Sequence, residues 1–249
     1  MKLKLITCEV FYREFNTVIA RSPNMVDAEY LPKALHDIGT GGMKERLQDV
    51  VNRVTDPSYD AIVMGYGLCN NGIVGLTGGD KQLVVPRAHD CITLFLGSKE
   101  RYLEYFQNNS GVYFQTTGWL ERGEARGELS QLTVGKKLGT QQSYEELVAK
   151  YGEENAQYLW QELGDPGRNY SKMTFIEMGI EPNSSFERRA QERADERHWK
   201  FEKVKGDMGM FQRLVDGIWN DNEFLIVPPG RRVAADYDSG IIALEEPQS

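Results

Sequence analysis

Compact apolar runs alternate with helical periodicity along most of the chain. "KLKLITCEV" alternates and then turns apolar, which reads as a first strand. "FYREFNTVIARS" reads as a helix after it, and "AEYLP" as a short strand. In "GGMKERLQDVVNRV" the apolar residues Leu47, Val50, Val51 and Val54 recur at the spacing of one helical face. "YDAIVMGYG" and "KQLVVPRAHDC" are strand-like runs, the first ending in glycine and the second stopped by Pro86. "ITLFLGSKERYLEYFQNN" predicts one helix, ended by Asn108, Asn109 and Gly111, and "GVYFQTTGW" a further strand. Ser143 and Glu146 form a capping-box pattern before "YEELVAKYGEENAQYLWQEL". Beyond that lie a strand in "KMTFIEMG", a charged helix in "SSFERRAQERADERHWKFEKV" and a helix in "GMFQRLVDGIWN". "EFLIVPPGRRV" is the last strong strand and "SGIIALEE" a short tail strand.

This alternation predicts an α/β fold, a mostly parallel sheet flanked by helices, in a single domain over 1–249. The first strand and those in "AIVMG", "LVVP" and "FLIVP" are expected at its centre. The likeness of "LVVPRAHD" to "LIVPPGRR" hints at two related lobes. Residues 118–142 are polar and glycine-rich, a length of loop that suggests either a lid over a site, with Trp119 at its mouth, or a surface excursion.

Charge and composition narrow the function. A net charge of −8 argues against a general grip on nucleic acid. No apolar run approaches the roughly 20 residues a membrane helix needs, and the N-terminus lacks a signal-peptide shape. A cytoplasmic protein with a small-molecule substrate is expected. Three cysteines are too few for a disulfide framework, so in a reducing compartment they are thiols, ligands or nucleophiles.

Each cysteine lies just beyond a predicted strand: Cys8 ends the first, Cys69 follows "AIVMG", and His89 and Cys91 follow "LVVP". In a parallel sheet these strand ends share one edge, where ligands bind. Thiolates and imidazole suit zinc, with Cys8, Cys69, Cys91 and His89 as ligands, or a [4Fe–4S] cluster on the three cysteines. The same pattern would also serve three small core residues. His89, Asp90 and Arg87 are the candidate catalytic groups. Asp90 either holds His89 or Arg87, or caps a helix starting near Cys91. Arg231 and Arg232, beyond the last strand, are candidates for holding a carboxylate or phosphate of a cofactor. His36 is a weaker candidate for the site. "GYGLCNNG" lacks the Lys-Ser/Thr ending of a phosphate loop.

"CEVFYRE", "GYGLCNNGIVGL", "PRAHDCITLFLGSKERY" and "GVYFQTTGW" resemble the uncharacterised domain-of-unknown-function family 1638 over most of the chain. Cys8, Cys69, His89 and Cys91, with Arg87 and Asp90, match its motif positions; "TTGW" stands where "TPGW" is expected. The resemblance implies no activity, only a setting of corrinoid-dependent methyl transfer with a corrinoid protein as a possible partner. In that setting a metal-dependent enzyme is expected, with zinc–thiolate alkyl or methyl transfer leading. An iron–sulfur enzyme of dehydration or redox chemistry, and an accessory binding protein with a closed structural metal, are the alternatives.

Overall fold

The computed structural model describes residues 1–69, 71–122, 129, 144–163, 169–236 and 240–246. Strand β1 (Lys2–Cys8) leads into helix α1 (Tyr12–Ile19), β2 (Met25–Leu31), α2 (Thr40–Asn52), β3 (Ala61–Gly65) and β4 (Gln82–Pro86). Then come α3 (Cys91–Leu96), α4 (Lys99–Asn108), β5 (Val112–Gln115) and α5 (Thr117–Glu121). Strands β6 (Lys172–Glu177), β7 (Lys200–Lys205) and β8 (Phe224–Val227) follow, with helices Ser185–Glu196 and Gly209–Asp216 between them. A small hairpin of β9 (Val233–Ala235) and β10 (Ile242–Leu244) closes the described chain.

The main sheet has the order β2-β1-β3-β4-β8. Its first four strands are parallel and β8 is antiparallel to β4. Period-two alternation sorts its side chains onto two faces. Leu3, Leu5, Ala61, Val63 and Val84 face one core with Phe15, Phe211 and Leu214 from the flanking helices. Ile62, Met64, Leu83 and Val85 face the other, with Leu47, Val50 and Val51 of α2. A second, three-stranded parallel sheet has the order β5-β6-β7 and packs Met173 and Phe175 against Ala190 and Ala194.

The expected α/β class with a mostly parallel sheet is found, with local differences. "FLIVP" is an edge strand, and "LVVP" and "FLIV" are antiparallel neighbours in one sheet rather than equivalents in two lobes. The helix expected over 92–109 is two, because Gly97 takes a left-handed φ of 88° and Ser98 caps a new start at the Arg101 N–H. The 144–163 helix likewise breaks at Gly152, with φ of 77°. "KFEKVK" is strand β7, not the tail of a charged helix. As an outer strand of its sheet it carries lysines, which mark edges but mimic a solvated helix in sequence. Helix α5 (Thr117–Glu121) takes up the start of the expected lid; of the rest only Arg122 and Leu129 are described, and the Ser143 cap also lies outside the described residues.

Candidate functional site

The strand order reverses at β1: the chain steps from β1 outward to β2, then crosses to β3 on the other side. A crevice opens at such a point outside the carboxyl ends of the strands. Cys8 is the last residue of β1, and Thr7 pairs with Gly65, so Cys8 stands beside Tyr66 one position on.

The glycines of "GYGLC" have a steric reason. A Cβ on Gly65 would lie 2.1 Å from Thr7 Oγ1, and one on Gly67 would lie 2.9 Å from the backbone of Ala88 and Asp90. This close approach lets the Leu68 N–H donate to Ala88 O at 2.7 Å and the Cys69 N–H to His89 O at 3.0 Å. The loop is thereby pinned to the segment after β4. Cys69 takes φ of 41° and Asn71 φ of 62°, left-handed values that non-glycine residues rarely adopt. Gly118 makes a third close approach, its missing Cβ falling 1.8 Å from Val10 O. Thr116 caps α5 by accepting the Trp119 N–H at 3.3 Å. Together these bring Trp119 to the loop after β1.

All three cysteines are free and partly buried. Burial pushes the Cys8 thiol up to about 12, against an opposing hydrogen bond from the Val10 N–H. Burial, and then the Asp90 charge, push Cys69 up to about 12, opposed by the N–H groups of Gly67 and Cys91. Cys91 is raised well above an ordinary thiol, by burial first and by Asp90 and the other two thiols next. The buried Trp119 indole N–H lies toward the Cys91 sulfur and opposes that rise, without making a full hydrogen bond to it. The Tyr66 hydroxyl, raised by burial and then by Cys8 and Cys69, is buried with no hydrogen-bond partner. The thiols thus sit near enough to feel one another, and all stay protonated at neutral pH.

Beside them lies a cleft of about 440 Å³. Its walls are the rings of Tyr102, Phe106, Tyr113, Phe114, Trp119 and Tyr170. Its polar lining includes Cys69, Cys91, Asp90 and His36. Asp90 caps α3, accepting the N–H groups of Ile92 at 2.9 Å and Thr93 at 3.3 Å, and accepts the Tyr102 hydroxyl at 3.1 Å. Burial, the largest influence on Asp90, raises its pKa. The His89 ring stacks on Tyr102 with centroids 5.3 Å apart, while its carbonyl holds Cys69.

The sequence-predicted groups divide. Cys8, Cys69, Cys91, His89 and Asp90 gather at one edge. Arg87 holds the chain together instead: its guanidinium donates to the carbonyls of Asp221, Gly240 and Ile242. Arg231 and Arg232 lie at the opposite edge, because β8 runs antiparallel and Val227, at its end, pairs with Leu83 near the start of β4. There they meet Glu245, Arg231 through its carbonyl and Arg232 through its carboxylate at 4.0 Å. Neither arginine therefore stands beside the thiols. Tyr66 and most of the aromatic wall were missed; "YLEYF" and "VYF" carried the signal but read equally as core.

Three thiols and an imidazole are the right donor chemistry for zinc or an iron–sulfur cluster. Their arrangement does not match it: among the described residues no group of three or more His, Cys, Asp or Glu is placed to hold a metal ion.

The family model for a protein of unknown function, DUF1638, matches residues 30–215. The chain belongs to this family. The DUF1638 match takes in Cys69, His89, Cys91 and Trp119 and leaves Cys8 outside, so the place of Cys8 in the site rests on the structure. No curated protein and no solved structure matches the chain. No described helix is long and apolar enough to cross a membrane.

Proposed function

We propose that this chain is a small-molecule enzyme of thiol chemistry. The aromatic cleft is its binding site, and Cys69 and Cys91 are the thiols presented to the ligand. One observation carries the reading: two thiols, one on strained backbone, line a cleft beside the point where the strand order reverses. A packing role alone needs neither the left-handed Cys69 nor the cleft. The raised thiols are poor nucleophiles as they stand, because the thiolate is the reactive form. Their use therefore requires an activating partner, supplied with the ligand or as a soft cation.

Zinc–thiolate alkyl or methyl transfer is the form of this reading that the donor chemistry favours, and a corrinoid protein as partner is what the family resemblance adds. It requires side chains to swing into a ligand set, so metal content is the test. The protein is purified without oxygen and analysed for metals and labile sulfide, beside Cys69→Ala. One zinc per chain, lost in the variant, supports zinc-dependent chemistry. Iron with sulfide transfers the assignment to a cluster enzyme. A metal retained in Cys69→Ala, in a protein that binds no small molecule, points to an accessory protein with a closed structural site. Metal-free protein that still binds small molecules leaves thiol chemistry without a metal.

A further inference from the structure

We infer that the cleft takes an organic cation with apolar substituents, an alkylated ammonium or sulfonium group. This rests on the cleft being the ligand site. Six aromatic side chains line a space of about 440 Å³, the size of a small-molecule pocket. They are held in place by contact with one another. Tyr102 and Phe106 have centroids 4.4 Å apart, Phe106 and Phe114 5.6 Å, and Tyr113 and Tyr170 5.2 Å. Ring faces attract a cation through their negative quadrupole, and alkyl groups on that cation are desolvated by the same rings.

Charge makes the same choice. Among the described residues the lining holds one carboxylate, Asp90, and no lysine or arginine. Asp90 uses Oδ1 on the helix cap and accepts Tyr102 at Oδ2, which leaves that oxygen acceptor capacity. The other titratable groups among the described lining are two neutral thiols, the hydroxyls of Tyr102, Tyr113 and Tyr170, and His36, whose Nδ1 is 3.2 Å from Asp37. One of these rings already holds a cation: Lys33 Nζ sits 4.8 Å from the Trp119 ring centre. An anionic ligand would face Asp90, and among the described residues no lining arginine or lysine meets it; Lys33 is held on the Trp119 ring. A neutral ligand would fill the rings and leave the free acceptor capacity of the half-buried Asp90 unused.

The probes are choline, tetramethylammonium and 3,3-dimethylbutan-1-ol, the uncharged isostere of choline, titrated calorimetrically into the full chain. Saturable binding of the cations, at least tenfold tighter than the isostere, is expected. Asp90→Asn keeps a residue that caps helices well and should bring cation and isostere to within about threefold of each other. Phe106→Ala, at a partly exposed ring, should weaken the cations at least fivefold without unfolding the chain. Equal affinity for choline and its isostere overturns the inference, as does preserved cation preference in Asp90→Asn. A neutral aromatic probe, indole, separates the two levels. If indole binds and is weakened by Phe106→Ala while cations do not bind, the cation inference falls and the cleft stands. If neither binds, both fall.

Discussion

Two loops of this chain leave similar apolar strands and arrive at opposite ends of the sheet. After β3, "GYGLC" is pressed against the backbone of Ala88 and Asp90, with Cys69 at φ of 41° and its sulfur among raised thiols. After β8, "PPGRR" is held by a bond from the Gly230 N–H to Gly79 O at 2.9 Å, yet Gly230, at φ of 75°, has nothing within 4 Å of a Cβ. Strand direction is the difference. The β3 loop reaches the carboxyl edge of parallel strands, where the crevice lies, whereas antiparallel β8 delivers its loop to the other edge. Residue types suited to anion binding, the paired arginines, stand at the edge without the cleft.

The largest expected contrast is chemical. A thiol at about 12 is far less ionised near pH 7.5 than a free one, so iodoacetamide should alkylate Cys69 and Cys8 about a thousandfold more slowly in the native chain than in urea. A chelator is included so that metal protection is not mistaken for a raised thiol. One rapidly modified cysteine in the native chain, mapped by mass spectrometry, breaks the assignment. The same shift sets a pH dependence. The folded chain holds these protons more tightly than the unfolded chain, whose thiols titrate near 9.0. Unfolding free energy therefore falls as pH rises from about 9 to about 12 and is unaffected by the thiols below that window. Replacing Cys69 with alanine should flatten the alkaline limb.

Next in size is the comparison of glycines. Gly67→Ala forces a Cβ against backbone that cannot rotate away, and about 2–3 kcal/mol of stability should be lost. Gly230→Ala meets no atom and carries only the left-handed penalty, about 1 kcal/mol. Urea midpoints for the two variants check this. Equal losses would mean that the loop after β3 is not pinned to Ala88 and Asp90.

The sequence was read correctly where one physical rule dominates. Apolar alternation fixed β1 and compact apolar runs fixed β3 and β4, and Cys8, Cys69 and Cys91 reached one edge because parallel strands leave no other choice. Asp90 is a helix cap, one of the two roles its position allowed. What could not be read was strand direction: "FLIV" is as apolar as "LVVP", and apolarity carries no sign. The cleft was also hidden. Tyr102, Phe106 and Phe114 have helix and strand spacings that serve a core equally well, and only the approach of Gly118 to Val10 brings Trp119 over them.

Arginines make the next test. Arg87, at the carboxyl end of β4, donates to three carbonyls from two later segments of the chain. Arg87→Ala leaves those acceptors short of a charged donor and should lower stability by about 1–2 kcal/mol. Arg87→Lys recovers little, since an ammonium cannot span the same fork. A thermal melt of each variant measures this, and full stability in Arg87→Ala would remove its holding role.

The smallest effect is expected at the other edge. Arg232 is exposed and its Nε is 4.0 Å from the Glu245 carboxylate, a separation at which a surface pair contributes little. Arg231 donates to the Glu245 carbonyl, an exposed bond that water can replace. The double variant Arg231→Ala, Arg232→Ala should change stability by no more than about 0.5 kcal/mol. Choline and indole titrations should be unchanged, because antiparallel β8 carries both side chains to the edge opposite the cleft. A tenfold loss of either ligand in a chain that still melts normally would place a binding surface at the β8 end. It would reverse the contrast between the two loops.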